Sequence, residues 1–221
     1  MSAATPLRLA ILISGRGSNM EALASACASG VLAARVAVVI ADRGGAAGLD
    51  AARARGLETA ALVHAGDRGA FERALEASLE RYRPDAVALA GFMRVLSAQF
   101  VARYLGRLFN IHPSLLPKYR GLDTHRRVLE AGDAIHGASV HFVTPELDAG
   151  PVILQSQVAV LPADTEATLA ARVLATEHVI YPRVLGWFAD GRLAWRDHGA
   201  WLDGRRLTAP LVEDFRGLAS A

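Results

Sequence analysis

Leu7-Arg8-Leu9-Ala10-Ile11-Leu12-Ile13, running straight into Ser14-Gly15-Arg16-Gly17-Ser18-Asn19, is the stretch on which the reading of the fold turns. Its first seven residues are a short apolar run, far too short to span a bilayer and without a signal-peptide cleavage pattern. The next six change character. Glycines at 15 and 17 let the backbone turn tightly, and Ser18 and Asn19 sit where a helix N-terminus presents free N–H groups. Run, glycine turn and helix start read together as strand, loop and helix, the opening unit of a parallel α/β sheet. Such a loop suits a phosphate, through the helix dipole and the unpaired donors. It lacks the Lys-Ser/Thr ending of a nucleotide-hydrolase loop and is not a full GxGxxG fingerprint, so an ordinary capped turn explains it equally well.

The alternation continues outward. Residues 20–30 carry a helical pattern, and residues 35–41 form a second, β-branched run. A turn at Gly44-Gly45 leads into an Ala-rich helix ending near Gly56, and residues 59–63 read as a third strand. Residues 67–82 form a helix with Phe71, Leu75 and Leu79 along one stripe. Pro84-Asp85 then opens Ala86-Val87-Ala88-Leu89-Ala90, an unbroken apolar run that suits a strand covered on both faces. Beyond the apolar run at 106–111 the pattern changes. Residues 138–143 and 152–160 read as strands, a helix spans about 165–188, and a weaker tail holds Trp195 and Trp201. With no linker, repeat or low-complexity segment, residues 1–221 read as one domain, with 1–6 and roughly 208–221 as peripheral tails.

The 221 residues suffice for one sizeable core, and 52% hydrophobic with 21% charged residues fits a soluble globular protein. A formal charge of only +2, with Arg interleaved among Asp and Glu, argues against a dedicated nucleic-acid surface. The expected partners are small-molecule substrates, with no nucleic acid and no membrane, and the chain is compatible with a monomer or a homodimer. A lone cysteine, Cys27, rules out an internal disulfide and fits a reducing, cytoplasmic setting. It lies in an Ala-rich helical stretch, as a small buried hydrophobe rather than a nucleophile.

Three constellations could carry chemistry. Asn110 and His112 stand two apart at the end of an apolar run, so in an extended strand both point to one side and can address one atom. Pro113 then blocks further pairing, and Pro117 closes the loop. A neutral donor beside a titratable one suits a developing oxyanion, and equally suits a satisfied polar pair at a strand end. The second is Ala90-Gly91-Phe92-Met93-Arg94-Val95-Leu96-Ser97, after the buried strand, where ligands bind in open α/β sheets. Gly91 permits close backbone approach, and Met93, Val95 and Leu96 either line a slot for a flat ring or form a core cluster opening the next helix. The third is Asp148, on a Gly/Pro-rich loop. A carboxylate there is usually a solvated turn residue, but brought to His112 it would favour the imidazolium. His136 and His141 are five apart with no cysteine cluster, so no metal site is expected. His125, His136 and His141 are candidates for supporting the site from behind, while His64, His178 and His198 read as surface or structural residues.

Taken together, the chain resembles the phosphoribosylglycinamide formyltransferases. The resemblance is carried by Ile13-Ser14-Gly15-Arg16-Gly17-Ser18-Asn19, Leu89-Ala90-Gly91-Phe92-Met93-Arg94 and Asn110-Ile111-His112-Pro113-Ser114-Leu115-Leu116-Pro117. It continues through His136-Gly137-Ala138-Ser139-Val140-His141, Glu146-Leu147-Asp148-Ala149-Gly150-Pro151-Val152-Ile153 and Glu177-His178-Val179-Ile180-Tyr181-Pro182, in the family's order. It implies an α/β, single-domain formyltransferase fold, Rossmann-like and parallel in the N-terminal half, extended to a mixed sheet in the C-terminal half. It also implies transfer of a formyl group from the co-substrate 10-formyltetrahydrofolate to the amine of 5-phosphoribosylglycinamide in purine biosynthesis, with no metal required.

The resemblance puts the catalytic roles on Asn110, His112 and Asp148. It puts the ribonucleotide on Gly17, Ser18, Asn19 and Gly91 and on Leu174, Ala175, Thr176 and Glu177, with Glu177 accepting from ribose hydroxyls. The folate contacts fall on Arg68, Met93, Arg94, Val95, Leu96, Asn110, Thr144, Pro145, Glu146, Leu147 and Asp148, with Arg68 a bidentate partner for the folate's carboxylate. One departure stands out: many bacterial members carry a His where this chain has Asp123. A formyltetrahydrofolate hydrolase would be expected to add an N-terminal regulatory domain, and a methionyl-tRNA formyltransferase a C-terminal RNA-binding domain and a basic surface. A non-catalytic binding module would lack one of Asn110, His112 and Asp148.

Overall fold

The first strand, β1 (Leu7–Ile13), is buried on both faces, which is why its apolar run shows no alternation. Leu9, Ile11 and Ile13 enter one core and Ala10 and Leu12 another, because successive side chains leave a strand on opposite sides. The computed structural model describes residues 5–63 and 66–217. The chain continues through α1 (Ser18–Ala28), β2 (Ala34–Ala41), α2 (Ala47–Ala54), β3 (Thr59–Ala61), α3 (Arg68–Tyr82), β4 (Ala86–Leu89), α4 (Ala98–Arg103) and β5 (Leu108–His112). There follow α5 (Thr124–Ala131), β6 (Ile135–Phe142), β7 (Val152–Ala159), α6 (Glu166–Ala189), β8 (Leu193–Arg196), β9 (Gly199–Leu202), β10 (Arg205–Arg206) and β11 (Leu211–Asp214).

Eight of these strands form one sheet in the order β11-β7-β6-β5-β4-β1-β2-β3. The neighbours from β3 to β5 pair in parallel, β5, β6 and β7 pair antiparallel, and β11 returns parallel to β7. The expected mixed α/β sheet is therefore observed. One face is covered by α1, α2, α5 and α6, through residues such as Leu23, Leu49, Val128 and Val173. The other is covered by α3 and α4, through Phe71, Leu75, Leu79 and Phe100. From β1 the chain builds the sheet toward β3, then crosses back to lay β4 and β5 on the other side. That reversal opens a crevice beyond the carboxyl ends of β1 and β4.

Several details differ from the sequence reading. The first helix begins at Ser18 rather than Met20, because Gly17 adopts the left-handed conformation (φ 83°) and turns the chain early. The third strand stops at Ala61. The helix after residues 90–97 was expected without bounds and is the short α4, whereas α5 and the antiparallel sheet β8-β9-β10 were not expected; the last carries Trp195, packed edge-on against Phe142. Residues 208–217 are also more than a tail, since Leu211–Asp214 supply the edge strand β11, with Leu211 opposite Leu154. Within the other expected tail residues 1–4 lie outside the described residues, as do residues 218–221 and His64. No helix among the described residues is long and apolar enough to cross a membrane.

Candidate active site

Phe109 and Ile111 turn into the core beneath β5, so Asn110 and His112 leave the strand on the opposite side. Asn110 lies directly across from His141 of the antiparallel β6. The loop joining β6 to β7 carries Asp148, whose backbone takes a left-handed turn (φ 48°). Its side chain is buried, and its two oxygens divide their partners. Oδ2 lies 3.4 Å from His112 Nδ1 and accepts from the Gly121 N–H at 3.0 Å. Oδ1 lies 3.5 Å from Asn110 Nδ2 and 3.9 Å from His141 Nε2. The three side chains expected to act together therefore converge.

The hydrogens of this cluster can be assigned from its acceptors. Burial pushes His141 down to about 4, so its ring is neutral at neutral pH. Its Nδ1–H donates to the Phe142 carbonyl at 2.9 Å, leaving Nε2 to accept from Asn110 Nδ2 at 3.2 Å. Asn110 thus has one amide hydrogen on His141 and the other on the longer contact to Asp148. His112 Nε2 meets the Tyr119 carbonyl at 2.9 Å, and its Nδ1 faces the Asp148 carboxylate. Both neighbours are acceptors, an arrangement a doubly protonated imidazole satisfies completely. His125 Nδ1 and His136 Nε2 are paired at 3.0 Å next to this group. Burial, then the His125 ring, push His136 down to about 4. Asp123 instead stands at the N-cap position of α5 without a side-chain capping bond, and pairs with Arg126 at 2.6 Å, both half exposed.

A cleft beside this cluster is lined by Arg94, Val95, Leu96, Asn110, Thr144, Pro145, Glu146, Leu147 and Asp148, together with Phe92, Val143 and His141. An adjoining hollow is bounded by Arg68, Phe71, Met93, Arg94, Val95 and Leu96. Met93 and Val95 are 62% and 58% exposed, so they are rim residues and the reading as a core cluster is set aside; Leu96 alone of the three is buried. A third hollow is lined by residues 14–19 with Arg43, Gly91 and Met93. The N-cap of α1 there is Gly17, with no side chain capping it, which leaves the first-turn N–H groups open to a ligand.

Asn19 donates to Glu177 at 2.6 Å, which joins the middle of α6 to this loop. Burial pushes the Glu177 carboxyl up, and the bond from Asn19 opposes it. The Thr176 hydroxyl is engaged elsewhere, by the Val173 carbonyl and Ser156, both at 2.7 Å. Ala175 is exposed and Leu174 half buried on the same helix. Tyr181, also on α6, spans the carbonyls of Leu89 and Phe109 at 3.0 and 3.2 Å, joining β4 to β5. Cys27 packs against the core, and burial pushes its thiol up to about 11, which keeps it protonated. Half-buried His178 leaves Nε2 without a partner.

Sequence reasoning missed Asp42. It follows the last residue of β2, at the carboxyl end of a parallel strand where ligands gather, and that position was the available signal. Its side chain is fully buried and pairs with Arg94 at 2.6 Å and Arg43 at 3.3 Å. Burial raises its carboxyl, but bonds from Arg94, Ser14 and Arg43 outweigh that and hold it below the usual carboxylate range. Among the described residues no group of three His, Cys, Asp or Glu side chains is arranged to hold a metal ion.

A family model described as formyl transferase matches residues 7–185. The chain is 52% identical to the phosphoribosylglycinamide formyltransferase of Escherichia coli K12, over 91% of this chain and 96% of that one. The solved phosphoribosylglycinamide formyltransferase from Coxiella burnetii superposes with a TM-score of 0.90 at 46% identity, covering 94% of this chain and 99% of that one. A glycinamide ribonucleotide transformylase from Symbiobacterium toebii gives a TM-score of 0.87 at 42% identity, over 90% and 95% of the two chains.

Proposed function

The chain belongs to the formyl transferase family, and on that premise we propose that it is a phosphoribosylglycinamide formyltransferase. It transfers the formyl group of 10-formyltetrahydrofolate to the amine of 5-phosphoribosylglycinamide, yielding the formylated ribonucleotide and tetrahydrofolate in purine biosynthesis. The observation that carries the site assignment is the convergence of Asn110, His112 and Asp148 beside a cleft with an apolar wall.

In this reading the amine attacks the formyl carbon and negative charge develops on its oxygen. Asn110 and His112 donate to that oxygen; losing one such donor typically costs roughly 3–4 kcal/mol of barrier. The contacts to Asp148, at 3.4 and 3.5 Å, are the longest the two side chains make, and are the ones most readily exchanged for the formyl oxygen. As the new C–N bond forms, the bond to N10 breaks, and the amine proton passes to N10 through a water held at Asp148. No covalent enzyme intermediate is needed, because the amine is the nucleophile. Juxtaposition of the two substrates makes the attack effectively intramolecular.

The free amide groups at the start of α1 take the phosphate, and Glu177 accepts from the ribose. Arg68, exposed at the outer hollow, meets the folate carboxylate. The deciding experiment follows tetrahydrofolate release spectrophotometrically, with and without glycinamide ribonucleotide. Release that requires the ribonucleotide is expected; equal release in its absence would make the chain a hydrolase.

A further inference from the structure

Arg43 lines the hollow at the phosphate loop, and Arg94 lines the cleft beside Asn110. Each guanidinium is held by a different oxygen of one buried carboxylate: Asp42 Oδ1 meets Arg43 Nε at 3.3 Å, and Oδ2 meets Arg94 Nε at 2.6 Å. Ser14, the first residue of the phosphate loop, bonds to the same carboxylate. Its hydroxyl oxygen accepts from the Met93 N–H at 2.8 Å, and its own N–H donates to the Gly91 carbonyl at 3.1 Å. The loop after β1 and the segment after β4 are thus stitched together around one side chain, at the crevice between those strands.

We propose that Asp42 is a positioning residue that sets the walls of both substrate clefts at once. The proposal rests on the assignment of the two clefts to the ribonucleotide and the folate. A wholly solvent-facing ion pair would contribute little, but this carboxylate is buried, so its removal leaves the buried Ser14 hydroxyl without its acceptor and releases two part-exposed guanidinium groups to solvent. Arg43 then loses its hold beside the phosphate, and residues 93–94 lose theirs beside the folate. Asp42 joins the three chain segments through one side chain, so the two affinities are coupled to a residue that touches neither substrate.

The test is steady-state kinetics on four variants of the full chain. Arg43→Ala is expected to raise KM for the ribonucleotide alone, and Arg94→Ala that for the folate alone, each by about tenfold, the scale of a lost charged hydrogen bond. Asp42→Ala is expected to raise both by about that factor with kcat changed less than threefold, and Asp42→Asn, which keeps one acceptor oxygen, to recover part of each. Should Asp42→Ala not fold, Ser14→Ala takes its place and is likewise expected to raise both values. If the arginine variants behave as described while the Asp42 or Ser14 variant moves one KM or neither, the proposal is overturned. If neither arginine variant moves its KM, the cleft assignment fails and the proposal falls with it.

Discussion

Replacing Asp148 by Asn removes one negative charge from the centre of the candidate site while preserving shape. The carboxylate lies 3.4 Å from the His112 ring, and a full ion pair at that separation is worth roughly 5 kcal/mol at an effective dielectric of about 20. Only part of this is lost, because the new amide oxygen still accepts from the Gly121 N–H. Its nitrogen, however, then faces Asn110 Nδ2, a donor against a donor, where Oδ1 now sits 3.5 Å away. Turning the amide over would relieve that clash but leave Gly121 N–H without an acceptor. Either way about 3–4 kcal/mol of the interaction disappears, which corresponds to a hundred- to thousandfold fall in kcat. Folate affinity, which the proposed reading assigns to a cleft of ten or so other residues, is expected to change less than about threefold by the logic that uniform and transition-state binding separate. The checks are the tetrahydrofolate-release assay and a folate binding titration. A variant that binds folate normally and turns over within threefold of the parent would remove Asp148 from the mechanism.

Arg68→Ala is expected to raise the apparent folate KM about tenfold with kcat little changed, and an unaltered KM would unseat the carboxylate contact at the outer hollow. His136, pushed by burial and the neighbouring His125 down to about 4 from an ordinary 6.5, stays neutral in the folded chain while the unfolded chain protonates. The stability it contributes is therefore complete above about pH 6.5 and is lost as pH falls toward 4, a change of about 3 kcal/mol. In urea unfolding from pH 7 to pH 4, His136→Gln is expected to lose correspondingly less than the parent; parallel profiles would show that the ring does not titrate this way.

The parts of the fold legible in the sequence are those where one local signal dominated. The doubly buried strands at 7–13 and 86–89 announce themselves as unbroken apolar runs, and α3 by its Phe71-Leu75-Leu79 stripe. The elements that escaped are short or carry their information elsewhere. The helix α5 runs eight residues, and β11 reads Leu-Val-Glu-Asp, mostly exposed, so only its pairing with β7 makes it a strand. The same division holds for the site. Asn110 and His112 were readable as a pair because β5 alternates. Their contact with Asp148, 36 residues beyond His112 in the numbering, depends on a left-handed turn at Asp148 itself, where an L residue is uncommon. Asp42 was missed despite its place at a strand end, because a carboxylate there looks like a solvated turn until Arg94, from a distant segment, is seen to close on it beside Arg43.

The paired amide hydrogens of Asn110 have a consequence for how a turnover starts and finishes. The site holds these donors on its own imidazole and carboxylate, so in the proposed mechanism the arriving formyl oxygen would enter by swapping places with an internal acceptor. The tally of bonds barely alters in either direction. On that mechanism entry would be kept from becoming a deep trap, and as the product left Asp148 would reclaim what it lent, resetting the donors for the next round.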